Sequence, residues 1–235
     1  MNSAPSVFHV DGLELAFVPK PWPFANERRT EIDAFFAAMR KEKPTLWNGR
    51  VLLMHHQVLE AGILRGEYLE TDYASFAAWR HWGRPSAGVR DCFGAGAIVA
   101  RDGAVLLGEM GAQTLNAGLV YFPCGTPDPN DVVDGKVDLD FSVRRELKEE
   151  TGLDVADFEP EPGWTMVVDG ALIAQIKVLR SNEQPTALRE RALAHLASEP
   201  HPELADIRIV RGPADIDRAM PGFVTAFLTS RFAGR

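Results

Sequence analysis

Three glutamates in one short stretch have the types and spacing that chemistry needs. They lie in Arg145-Glu146-Leu147-Lys148-Glu149-Glu150-Thr151-Gly152-Leu153. At about 100° per residue, Glu146, Glu149 and Glu150 share roughly a third of a helix circumference. Like charges four residues apart, as at Glu146 and Glu150, mildly destabilise a bare helix. The C-terminal end of a helix also disfavours carboxylates, because its free carbonyls carry partial negative charge. A hard divalent cation held by carboxylate oxygens removes both penalties. Arg145 is spaced to pair with Glu149 at i,i+4 and to hold that acid in place. The competing reading is a solvated, salt-bridged helix face.

The elements that must position these acids can be read from periodicity and punctuation. Leu139 to Thr151 reads as a helix, and Gly152 stops it as a left-handed cap residue. Cys92 to Ala100 and Ala104 to Glu109 read as two strands around Arg101-Asp102-Gly103, and Leu119 to Phe122 as a short third. Trp164 to Leu179 holds two strands around Asp169-Gly170. Residues 186–197 form a helix, 205–210 a strand and 220–232 a last helix. Before these, Asn26 to Lys43 and Asp72 to Trp82 show helical spacing, and residues 50–70 look like two or three strands. Asp11-Gly12, between apolar/polar alternations, signals a hairpin over residues 7–18. Gly83 to Gly88 is a turn or linker. The expected organisation is a small α+β N-terminal unit, residues 1–88, followed by a mixed α+β unit, residues 89–235.

The acidic stretch resembles the second half of the nudix box, the signature of hydrolases acting on nucleoside diphosphates linked to another group. Arg145-Glu146-Leu147-x-Glu149-Glu150-x-Gly152-Leu153 matches at every defined position of that half. The resemblance implies an α+β nudix fold with a mixed β-sheet sandwiched between helices. It implies that Glu149 and Glu150 ligate Mg²⁺ or Mn²⁺, that Glu146 is a further ligand or the base that activates water, and that Arg145 orients the acids. The first half departs from the pattern: where the family has a glycine and a glutamate, this chain has Asp131 and Val137. The glycine role falls to Gly125, in Phe122-Pro123-Cys124-Gly125-Thr126-Pro127-Asp128-Pro129, with a loop extension after it. Asp128, Asp134 and Asp138 are candidates for the glutamate role. Cys124 reads as a small packing residue.

A second resemblance, to the branch of the family that cleaves UDP-sugars, rests on Leu46-Trp47-Asn48-Gly49-Arg50 and the Pro123–Pro129 turn. It implies that Trp47 stacks a base and Arg50 neutralises a phosphate; the competing reading is a structural aromatic and a surface arginine. The expected activity is metal-dependent cleavage of a nucleotide sugar, with ADP-ribose or a dinucleotide as the alternative substrate. A catalytically silent nucleotide sensor is the alternative from another class.

Other features carry less. His55 and His56 fall on opposite faces of a strand and do not point at one metal. Gly94-Ala95-Gly96 lacks the following helix that a dinucleotide fingerprint needs and reads as a close-packed strand. Glu199 or Glu203, around Pro200-His201-Pro202, is placed to bring one more carboxylate from a loop. The 235 residues carry a net charge of −8, which argues against a duplex nucleic-acid partner. No apolar run approaches the eighteen or so residues of a membrane helix. Two cysteines far apart, Cys92 and Cys124, suit a reducing compartment. Met1-Asn2-Ser3-Ala4-Pro5 lacks the basic start of a leader, so a cytoplasmic location is expected. The N-terminal unit is expected either to cover the pocket or to form a homodimer contact.

Overall fold

The computed structural model describes residues 4–44 and 46–233. The segment Met1-Asn2-Ser3, read above for a leader, lies outside them. In chain order the strands begin with β1 (Ser6–Val10) and β2 (Gly12–Phe17), and helices α1 (Pro23–Glu27) and α2 (Arg29–Glu42) follow. Next come β3 (Arg50–Glu60), β4 (Ile63–Asp72), α3 (Tyr73–His81), β5 (Asp91–Val99) and β6 (Val105–Met110). Short strands β7 (Val120–Tyr121), β8 (Cys124–Gly125), β9 (Val132–Val133) and β10 (Lys136–Val137) lead into α4 (Leu139–Thr151). The remainder is β11 (Glu159–Pro160), β12 (Trp164–Asp169), β13 (Leu172–Arg180), α5 (Pro185–Ser198), β14 (Leu204–Val210) and α6 (Gly222–Ala233). No helix among the described residues is long and apolar enough to cross a membrane.

The chain divides into two compact units that interleave in sequence. One comprises the segment ending at Gly12, Phe93–Gly125 and the segment from Leu139 onward; the other comprises Leu13–Cys92 and Thr126–Asp138. Residues before Leu13 therefore group with the later part of the chain, and the loop after Gly125 groups with the earlier part.

The expected hairpin over residues 7–18 does not form. β1 pairs antiparallel with β12, Val10 opposite Trp164, while β2 joins a different sheet beside β4 and β10. A two-residue hairpin needs positive φ in its turn. Neither Asp11 nor Gly12 is among the positive-φ residues. The alternating patterns are satisfied by remote partners instead, and Val10 is fully buried.

The first unit holds a sheet in the order β1-β12-β13-β5-β6-β14, with β7, β8 and β11 attached to its strands. Most pairs are antiparallel. At the C-terminal ends of β5 and β13, Ser181 N donates to Val99 O (2.8 Å) and Arg101 N to Glu183 O (2.9 Å). The two strands thus run in the same direction, and the sheet is mixed. Successive β5 side chains face opposite sides. Gly94 turns toward α4, where an added Cβ would lie 2.9 Å from Val143. Phe93 turns the other way, and its ring meets Phe223 of α6 edge-on at 5.6 Å. Phe122 meets Phe227 of α6 in the same manner. The sheet is therefore sandwiched between helices, and the fold class is α+β, as expected.

The second unit is built on the sheet β3-β4-β2-β10-β9 and the helices α1 to α3. Ile32 and Phe36 of α2 pack with Ala74 and Ala78 of α3, flanked by Phe24, Met39 and Trp82. Asp72 caps α3 by accepting from Ser75 N, and its carboxylate is held by Arg29 at 2.7 Å.

Candidate metal centre

α4 starts at Leu139 and ends at Thr151, the bounds its periodicity predicts. Its buried stripe is Leu139, Ser142, Val143, Glu146, Leu147, Glu150 and Thr151, so two of the three acids sit on the face that packs inward. Small residues permit this approach. A Cβ at Gly125 would fall on the Glu146 carboxylate. β8, which carries Gly125, is registered against β5 through Gly94↔Gly125 and Ala95↔Cys124. The Cys124 backbone N–H donates to the Glu150 carboxylate. The end of the helix is secured from outside: Gly152 has φ +69°, and His195 Nε2 lies 3.0 Å from the Glu149 carbonyl. A carbonyl only accepts, so that nitrogen is the donor.

The acids occupy different environments. Arg145 Nη1 lies 2.7 Å from Glu146 and 3.4 Å from Glu149. The pairing with Glu149 matches the expected i,i+4 contact; the closer one with Glu146 is additional. Glu149 is exposed and Glu150 is buried, with 4% of its surface accessible. Glu150 Oε2 has no hydrogen-bond partner. Burial pushes the Glu150 carboxyl well above the ordinary range, the charges of Glu146 and Glu203 push it further, and the Cys124 N–H opposes them.

Glu203, which precedes β14, joins this field. It is exposed as a residue, yet crowding around its carboxyl and the charge of Glu149 raise it. Its position follows from β14 pairing with β6, and Gly111 N donates to the Glu203 carbonyl at 2.8 Å. Of the two loop glutamates considered in the sequence, Glu203 is the one electrostatically tied to α4. Tyr121, on β7, was not singled out by sequence. It is 8% exposed, its hydroxyl accepts from Asn116 Nδ2 at 2.9 Å, and it lies in the field of Glu150 and Glu203. Only the pairing of β7 with β6, Tyr121 opposite Gly108, brings it there.

The remaining sequence candidates belong to the second unit. Trp47 is 82% exposed, and Arg50 pairs with Glu70. Asp131 is buried and caps the turn at Pro129–Asp131, accepting from Asp128 N.

Among the described residues, no three His, Cys, Asp or Glu side chains stand close enough together to hold a metal ion as they are arranged. The donor chemistry nevertheless suits a hard cation. All the candidate donors are carboxylate oxygens, one of them is buried without a partner, and the neighbouring acids raise Glu150 and Glu203.

No protein-family model matches the sequence, and none of the curated proteins searched matches it. Solved structures do resemble it. A nudix hydrolase from M. smegmatis, RenU, is 18% identical, with 61% of this chain and 83% of that one aligned at a TM-score of 0.41. A MutT protein from Methanosarcina mazei is 18% identical over 62% and 96% of the two chains, at a TM-score of 0.40. DR0079 from Deinococcus radiodurans is 12% identical over 70% and 84%, also at 0.40. At such identities and scores the likeness is partial, and chemistry must come from the residues themselves.

Proposed function

We propose that the chain is a metal-dependent pyrophosphohydrolase of the nudix type, cleaving the diphosphate of a nucleoside diphosphate linked to another moiety. The observation that carries this is Glu150, a buried carboxylate with an unpartnered oxygen, placed among Glu146, Glu149 and Glu203. Such an arrangement is costly for a bare protein.

Glu146, Glu149 and Glu150 would hold Mg²⁺ or Mn²⁺, with Glu203 as a fourth carboxylate. A bound divalent ion supplies a Lewis acid for the phosphoryl oxygens and counters the carboxylate charge. Arg145 orients Glu146 and Glu149. Gly125 leaves space for the Glu146 carboxylate, and the Cys124 N–H fixes Glu150. Water attacks one phosphorus: the new P–O bond forms as the P–O bond to the bridging oxygen breaks, and a carboxylate accepts the water proton. The products are a nucleoside monophosphate and a second phosphate ester. Positioning and electrostatics suffice for this reaction, with no covalent nucleophile.

Within that class, the proposed substrate is a UDP-sugar, a reading supported by the likeness of Leu46-Trp47-Asn48-Gly49-Arg50 to the UDP-sugar-cleaving branch. The test is a panel of UDP-sugars, ADP-ribose and dinucleoside polyphosphates with Mg²⁺ or Mn²⁺, read as phosphate after phosphatase coupling. Turnover of UDP-sugars in preference to ADP-ribose and dinucleoside polyphosphates supports the whole reading. Turnover of ADP-ribose alone replaces the substrate. Nucleotide-induced thermal stabilisation without any turnover points to a sensor.

A further inference from the structure

We propose that the Tyr121 hydroxyl is a substrate-binding donor, giving its hydrogen to a non-bridging oxygen of the diphosphate bound at the acidic end of α4. This rests on the function proposed above and names a residue which that reading does not use.

The argument begins with hydrogen-bond direction. Asn116 Nδ2 donates to the Tyr121 oxygen at 2.9 Å, which leaves the phenol's own hydrogen to be given elsewhere. Among the described residues Tyr121 has no acceptor for it. A ring needed only for packing would not require the hydroxyl. Phe122, its neighbour, packs edge-on against Phe227 at 5.1 Å without one.

Location gives the second step. Three residues after Tyr121 the chain enters β8, where the Cys124 N–H meets Glu150 and Gly125 lies against Glu146. The Tyr121 hydroxyl sits in the field of Glu150 and Glu203.

Chemistry gives the third. A diphosphate entering a nest of carboxylates needs hydrogen-bond donors that the acids have not already engaged. Arg145 is committed to Glu146 and Glu149. A neutral O–H donates without adding to the charge balance of the metal site. Burial raises the Tyr121 phenol, so it keeps its hydrogen at working pH.

The test compares the full-length protein with Y121F and N116A. Calorimetry measures binding of α,β-methylene-ADP with Mn²⁺, electron paramagnetic resonance measures Mn²⁺ alone, and turnover is followed with UDP-glucose and ADP-ribose. We expect Y121F to weaken analogue binding about tenfold and to lower kcat/KM at least as far, with Mn²⁺ binding unchanged. N116A, which frees the phenol to rotate, should give a smaller loss in the same direction, and it carries the test if Y121F does not fold. Wild-type binding and turnover in the variants overturn the role of Tyr121 alone. Equal losses of Mn²⁺ and analogue binding also overturn it, since they mark general damage to the site. If the wild-type protein binds neither Mn²⁺ nor the analogue, the proposed function falls and the role of Tyr121 falls with it.

Discussion

Glu150 shows how a single residue constrains function here. A buried carboxylate with one satisfied and one unsatisfied oxygen costs free energy unless something else enters the site. Two substitutions therefore test the site. E149Q and E150Q should each lower turnover by a few orders of magnitude while the fold survives, checked by steady-state kinetics beside circular dichroism. Mg²⁺ or Mn²⁺ should raise the Tm of the wild-type protein and leave that of E150Q nearly unmoved, because stabilisation follows from ligand affinity for the native state. Equal metal shifts in both proteins would remove Glu150 from the ligand set. G125A is the complementary change, made on β8 where it lies against Glu146. Its methyl group would land on the Glu146 carboxylate, so activity should fall well below wild type with only a modest loss of stability.

At the scale of elements, helix ends decide how firmly side chains are held. α4 stops at Gly152, where φ is +69° and the His195 ring fills the space a Cβ would take. G152A meets both strain and a clash, and denaturant unfolding should show a loss of roughly 1–3 kcal/mol. α3 depends on Asp72. Burial would raise this carboxyl, but hydrogen bonds from Arg29 and Ser75 outweigh burial and bring it down to about 2. A depressed carboxyl contributes stability that is present above its unfolded pKa and is lost as pH falls through the folded one. Wild-type stability should therefore drop between about pH 4 and pH 2 by on the order of 2 kcal/mol from this group. D72N should be less stable at neutral pH and lack that part of the acid dependence. An unchanged acid limb in D72N would contradict the assignment.

Across the whole molecule, the division into units does not follow the chain. A fragment of residues 89–235, cut at the boundary that composition suggests, lacks β1 and leaves the edge of β12 bare. It should melt earlier than the full-length protein or aggregate, measured by thermal circular dichroism and light scattering. A fragment melt equal to that of the full chain would show that β1 contributes little. Short-range physics made much of the fold legible in the sequence. Helical spacing and a terminating glycine set the limits of α4, and they gathered Glu146, Glu149 and Glu150 on one helix. The same local logic failed at Asp11-Gly12, because alternation says that a strand exists but not which strand it pairs with. Glu203 and Tyr121 had no local signal strong enough to assign them. One reaches α4 because β14 pairs with β6, the other because β7 does, and those registers are set by packing among residues far apart in sequence. The sequence by itself determined the acids and their spacing, since neighbours on one helix need no tertiary partner. The tertiary structure alone decided which of them is buried and what surrounds it, because burial and field depend on strands that meet only once the chain has folded.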